Sequence, residues 1–243
     1  MLARLRFSRG CAHTRTPRSS LSLRTQLKKS RPTMHYRAII FDFDGTIADT
    51  LEQTRHIYNQ LAPEYGLRSV ESHEMETLRN FSLSELLSHL EISTFRVPSL
   101  LARGTAMLRE RIAQIPLIPG IAEILPSLRA EAQIFGILTS NATENVNLLL
   151  DAHGLRSHFT FVSSTSKLTG KAKHLKAIRK TFSLQSTEML YIGDEIRDVK
   201  ASHKAGIPCA AVTWGFNSRA SLHAADPTHL IDSPHELLSL RRS

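Results

Sequence analysis

The chain has 243 residues, 41% of them hydrophobic and 22% charged, enough for one large domain, or a core with a smaller insertion, around a substantial buried interior. No run of about 18 apolar residues occurs, which excludes a membrane-spanning helix. The net charge of +9 does not describe the folded body: residues 1–33 hold seven Arg and two Lys and no acid, leaving 22 basic and 22 acidic side chains beyond them, so a basic groove is not supported and no nucleic acid is expected for the core.

In chain order, residues 1–33 come first, rich in Arg, Ser and Thr. That is the composition of an organellar transit peptide, which would direct import into an organelle. The preferred reading is an over-extended start, with Met34 opening a compact cytoplasmic protein. Either way the segment is expected to be disordered and outside the fold. Two cysteines, Cys11 in this leader and Cys209 in "IPCAAVTW", argue against a disulfide framework. Cys209 reads as a small buried residue.

Beyond the leader, strand patterns alternate with amphipathic helical ones. "YRAIIFDFD", "AQIFGILTS", "HFTFVSS", "EMLYIGD" and "PCAAVTW" read as strands, with "THLIDS" as a sixth. Between them "IAEILPSLRAE", "ATENVNLLLDAHG", "KAKHLKAIRKTF" and "EIRDVKASHKAG" read as helices, two of them closed by Gly154 and Gly206. This alternation predicts an α/β fold, a doubly wound parallel sheet of Rossmann-like type. Residues 51–116 interrupt it with helical patterns only, and Pro116, Pro119 and Gly120 close the interruption. The expected organisation is a core of 34–50 and 117–243 with an inserted helical domain of 51–116.

Chemistry gathers at the predicted strand ends. Asp42 and Asp44 follow "AIIF". Inside a strand they would share one face, which is costly for a strand covered on both sides. Just past the carboxyl end they would lie where open α/β sheets bind ligands, with Gly45 allowing a tight bend. A second group, Asp194, Glu195 and Asp198, follows "YIG". Clustered carboxylates at two strand ends suggest a shared hard cation such as Mg²⁺, and no Cys/His spacing of a zinc site is present. Thr139, Ser140 and Asn141 end another strand and offer hydrogen-bond donors at a helix start, suited to an anion; Ser140 could equally cap that helix. Lys171 and Lys173 follow the third strand.

The order DFDGT, a strand ending Ser-Asn, a Lys, then GDExxD resembles the haloacid dehalogenase superfamily of phosphohydrolases, over about residues 36–240. "GKAKHLKAI", "YIGDEIRDVKASHKAGI" and "VTWGFNS" look most like its phosphoglycolate phosphatase-like branch, and the helical insertion resembles that superfamily's small helical cap. The resemblance implies Asp42 as the nucleophile that forms an aspartyl-phosphate and Asp44 as general acid, then base. Ser140, Asn141 and Lys171 would form the phosphate site. Mg²⁺ would be held by Asp42, the backbone carbonyl of Asp44, and Asp194. Asp198 would orient Lys171 or a metal-bound water, and Gly45 and Thr46 would turn the chain away from the pair.

Asp44 favours phosphoryl transfer over C–halogen cleavage, because dehalogenases of this superfamily lack the second aspartate. Residues 30–166 contain no Lys, which disfavours a Schiff-base phosphonate hydrolase. The text "GKAKH" departs from the branch's "KPxP" pattern and leaves Lys171 and Lys173 both open, with Lys171 favoured. The expected function is Mg²⁺-dependent hydrolysis of a small phosphorylated metabolite, 2-phosphoglycolate first, by a protein for which a monomer is favoured. A sugar phosphomutase is the alternative, and a non-catalytic binding protein stands behind it. Among the Arg side chains of the insertion, Arg79 is the candidate for a substrate carboxylate.

Overall fold

The computed structural model describes residues 36–165 and 170–240. The leader, Met34 and Cys11 lie outside the described residues. Six strands form one sheet: β1 (Ala38–Phe41), β2 (Ile134–Thr139), β3 (Phe161–Ser164), β4 (Met189–Gly193), β5 (Cys209–Val212) and β6 (His229–Ile231). Their order is β3-β2-β1-β4-β5-β6 and every pairing is parallel. The chain winds outward from β1 to one edge, returns, and winds from β4 to the other. The crevice where that order reverses lies at the carboxyl ends of β1 and β4, beside β2.

β1 is buried on both faces, as the run "AIIF" requires. Ile39 and Phe41 face one layer, with Ile121, Ile124 and Leu125 of α5 (Ile121–Glu131) and Val146 and Leu149 of α6 (Thr143–Ala152). Ala38 and Ile40 face the other, with Leu175 and Ile178 of α7 (Lys171–Thr181) and Ala205 of α8 (Ile196–Ala205). Gly154 and Gly206 adopt φ of 69° and 70° just past α6 and α8, closing both helices as their positions suggested.

Between β1 and α5 the described residues form helices and no strand: α1 (Leu51–Leu61), α2 (Met75–Leu78), α3 (Leu83–His89) and α4 (Val97–Arg109), with 3₁₀ turns between them. Val70, Leu78 and Leu90 form a small apolar cluster within this segment. Its two connections run side by side. Asp49 N–H donates to Pro116 O at 2.9 Å and Ile118 N–H to Ile47 O at 2.9 Å. Pro116 thus ends the segment while its carbonyl remains available to pair.

Candidate active site

β1 stops at Phe41, and after one further ladder bond at Asp42 the chain turns away. Asp42 N–H donates to Ile192 O of β4 at 2.7 Å, then Phe43 O receives the amides of Thr46, Ile47 and Ala48. The turn needs φ of +71° at Gly45, and a Cβ there would collide with the Asp194 carboxylate. Asp42 and Asp44 therefore stand just past the strand end. Asp42 is buried and Asp44 half-buried.

Lys171, first residue of α7, joins two strand ends. Its Nζ bonds Asp42 Oδ2, and Asp198 Oδ1 at 2.6 Å; all three side chains are at most 3% exposed. Burial works against the Lys171 charge, but Asp198 and Asp42 outweigh it and hold the ammonium above its usual range. Burial pushes the Asp42 carboxyl up to about 7, with Lys171 pulling against that rise. Asp42 Oδ1 also accepts Phe43 N–H at 2.8 Å. Lys173 is exposed, so only Lys171 of the pair joins the cluster. Asp198 Oδ2 accepts Glu195 N–H at 3.1 Å, and Tyr191 Oη lies 3.4 Å from Asp198 Oδ1.

Asn141, at the end of β2, donates its amide to both oxygens of Asp44, at 3.1 and 3.0 Å. Its own carbonyl is fixed by Ala142 N–H at 2.8 Å and Asn145 Nδ2 at 3.0 Å, which sets the amide's orientation. The Asn141 side chain is thus spent on Asp44, while neighbouring Ser140 is partly open. Burial raises the Asp44 carboxyl above its usual range, against the Asn141 hydrogen bond.

Asp194 is fully buried. Thr46 Oγ1 donates to its Oδ1 at 2.7 Å and Phe216 N–H to its Oδ2 at 2.7 Å. Burial, then the charges of Glu195, Asp42 and Asp198, push it well above the ordinary carboxylate range. The Phe216 amide belongs to the loop after β5. Gly215 in that loop packs so closely that a Cβ would strike the Asp194 carboxylate, and Asn217 N–H donates to Asp194 O at 3.2 Å. Arg79 grips the same loop: its Nε donates to Gly215 O at 3.0 Å and its Nη2 to Thr213 O at 2.7 Å. Asn217 Nδ2 returns hydrogen bonds to Arg79 O and Phe81 O. Arg79 is therefore tied to backbone carbonyls instead of facing open space for a ligand.

The oxygen-rich donor set suits a hard divalent cation. One carboxylate oxygen each of Asp42, Glu195 and Asp198 lie within 4.8 Å of one another. Asp198 is already neutralised by Lys171, and Glu195 by Arg197. Asp194 differs: among the described residues it has no cationic partner, although it is buried beside other acids. A buried carboxylate in that state calls for a cation.

Two contributors escape motif reading. Arg197 occupies a variable position inside "GDExxD", and Phe216 contributes through its backbone, which no side-chain pattern reports.

The chain is similar to known proteins. The family model "Haloacid dehalogenase-like hydrolase" matches residues 39–212. A phosphoglycolate phosphatase of Synechococcus elongatus is 36% identical over 202 residues, covering 83% of this chain and 95% of that protein. The chain belongs to the haloacid dehalogenase-like hydrolase family. Within it, the chain falls in the phosphoglycolate phosphatase-like branch; a phosphoglycolate phosphatase of Xanthomonas campestris is 25% identical over 189 residues, 74% of this chain and 84% of that one. The fold is shared by a haloacid dehalogenase-like family hydrolase of Streptococcus pneumoniae, with TM-score 0.70 at 22% identity over 84% of this chain and 97% of that one. As a member of the phosphatase branch, the protein is a phosphoric monoester hydrolase.

Proposed function

We propose that this phosphatase hydrolyses a small phosphorylated metabolite, 2-phosphoglycolate first, with Mg²⁺ and through a phosphorylated Asp42. The observation that carries the reading is the pairing of two differently held carboxylates at one strand end: Asp42 on Lys171 and Asp44 on Asn141. The preference for 2-phosphoglycolate is supported by the relatives, which carry that activity in their names.

Asp42 is the nucleophile. Phe43 N–H and Lys171 fix its carboxylate, one on each oxygen, so that it attacks from a single orientation. Asp44 retains a proton at higher pH than an ordinary carboxyl because it is buried. It gives that proton to the leaving oxygen and afterwards accepts one from the attacking water. Asn141 aims Asp44, and Ser140 and Lys171 offset charge on the phosphoryl oxygens. The side chains of Asp42 and Asp194 and the Asp44 carbonyl would hold Mg²⁺. The cation would supply charge neutralisation between nucleophile and phosphoryl group. Residues 51–116 serve as a cap that covers the crevice and screens the leaving group from water. Arg79 clamps that cap to the loop bearing the Phe216 amide.

The test is phosphate release from 2-phosphoglycolate, other phosphorylated metabolites and p-nitrophenyl phosphate with Mg²⁺. Wild-type protein should hydrolyse the first fastest and Asp42→Asn should hydrolyse none. Absence of release from every substrate, or an unchanged rate in Asp42→Asn, overturns the proposal.

A further inference from the structure

Arg197 is a cation of the crevice with two buried donors that are unpartnered among the described residues. It is the second residue of α8, next to the Asp198 that anchors Lys171. Its Nη2 is paired with Glu195 Oε1 at 2.5 Å and lies 3.4 Å from Ser140 Oγ. Its Nε and Nη1 are buried and have no hydrogen-bond partner among the described residues. A guanidinium engaged only in a surface ion pair leaves its remaining donors to water. Here two are enclosed, and buried donors are rarely left unmade unless another group completes them.

The surroundings say what that group is. The Arg197 charge acts on Asp42, Asp44 and Lys171, so it stands within the same cluster. Lys171 is shared between two carboxylates, which consumes much of its charge. Even with Mg²⁺ between nucleophile and phosphoryl group, a phosphoryl dianion approaching Asp42, Asp44 and Asp194 is stabilised further by a cation on its outer oxygens. The planar fork of Arg matches paired anionic oxygens better than any other side chain, and Ser140, the expected phosphoryl ligand, is the neighbour Arg197 touches.

We propose that Arg197 binds the transferring phosphoryl group together with Ser140, donating N–H hydrogen bonds to its oxygens while Glu195 fixes the guanidinium from the other side. The inference rests on the phosphatase reading above. It adds a phosphate-binding residue from the variable part of "GDExxD". No bond is made or broken by Arg197; it stabilises charge as the phosphoryl group passes to Asp42 and then to water.

The experiment compares wild-type protein, Arg197→Gln and Arg197→Lys on p-nitrophenyl phosphate and on 2-phosphoglycolate. Inorganic phosphate serves as a competitive inhibitor, and Mg²⁺ half-saturation is measured alongside. Arg197→Gln should lose about ten- to a hundredfold in kcat/KM on both substrates, the range expected for lost charge-assisted hydrogen bonds to an anion. Its inhibition constant for phosphate should rise by about tenfold or more, with Mg²⁺ half-saturation within about threefold of wild type, a shift too small for a lost ligand. Arg197→Lys keeps the charge without the fork and should recover part of the loss; it also carries the test if Arg197→Gln does not fold.

Three outcomes overturn the proposal. One is a phosphate inhibition constant within twofold of wild type in the folded variants. Another is a loss confined to 2-phosphoglycolate, which would place Arg197 on the substrate carboxylate. The third is Mg²⁺ half-saturation that moves in step with activity, which would make Arg197 a support of the acidic cluster. If wild-type protein hydrolyses neither substrate, the phosphatase reading itself has failed, a result distinct from any of these three.

Discussion

Replacing Lys171 with Met tests the charge arrangement at the base of the site. The substitution keeps an unbranched side chain of similar length and removes the only ammonium that, among the described residues, touches Asp42 and Asp198. Asp198 is wholly buried, and its remaining partners are the Glu195 amide and the Tyr191 hydroxyl. Removing one partner of a buried ion pair typically costs about 3–5 kcal/mol, because the other charge is left uncompensated. In a protein of this size about 1 kcal/mol moves Tm by roughly 2–4 °C, so the expected fall is roughly 6–20 °C in metal-free buffer. Circular dichroism melts of wild type, Lys171→Met, Asp198→Asn and the double variant form a cycle. The double variant should be less destabilised than the two single losses added together. A fall below about 3 °C for Lys171→Met, too small for a broken buried pair, would refute the reasoning, as would strict additivity. Phosphate release should also drop by about a hundredfold or more, the usual effect of removing one donor to a developing anion.

Gly215→Ala places a methyl against the Asp194 carboxylate; half-saturating Mg²⁺ should rise by about tenfold or more, as for a disturbed metal surround, read by titrating activity and by metal-dependent melting. Arg79→Ala frees the Thr213, Gly215 and Asn217 carbonyls. It should lower stability by about 1.5–3 kcal/mol, checked by urea unfolding, and Mg²⁺ half-saturation should rise because the Phe216 amide no longer holds Asp194 in place. Burial pushes the Cys209 thiol up to about 12. In a Cys11→Ser background it should therefore resist iodoacetamide at pH 8 until denaturant is added, as mass spectrometry will show. A protein starting at Met34 should hydrolyse substrate at the full-length rate, since every group in the site lies beyond residue 36.

The fold was legible because its strands are short apolar runs buried on both faces. "AIIF" and "EMLYIG" could not be solvated half-strands, and Gly154 and Gly206 marked where helices stop. The insertion was legible in kind but not in detail. "TLEQTRHIYNQLAPEYG" looks like one helix, yet α1 ends at Leu61 and a 3₁₀ turn follows at Ala62–Tyr65, where Pro63 cannot supply an amide. Asn141 reads from the sequence as a donor at a strand end, but its target is not legible there. Only the packing of β2 beside β1 places its amide on Asp44 rather than toward an open anion site.

Arg79 shows the same limit. Its position in a turn of the insertion was visible, but its partners are carbonyls more than 130 residues away in the chain. Pattern favours Lys171 over Lys173 but leaves both open. Two residues apart on a helix they point to nearly opposite sides, and the sequence does not say which side meets the sheet.

Sequence alone determined the parallel sheet, the helical insertion, the carboxylates at two strand ends and the family, because each depends on local periodicity or on residue types at short spacing. Tertiary structure decided which lysine enters the cluster, what Asn141 and Arg79 hold, that Asp194 has no cationic partner among the described residues, and that Arg197 lies against Ser140. Those facts depend on the relative placement of β1, β2, β4 and the loop after β5, segments far apart in the chain that meet only when the sheet closes around its reversal point.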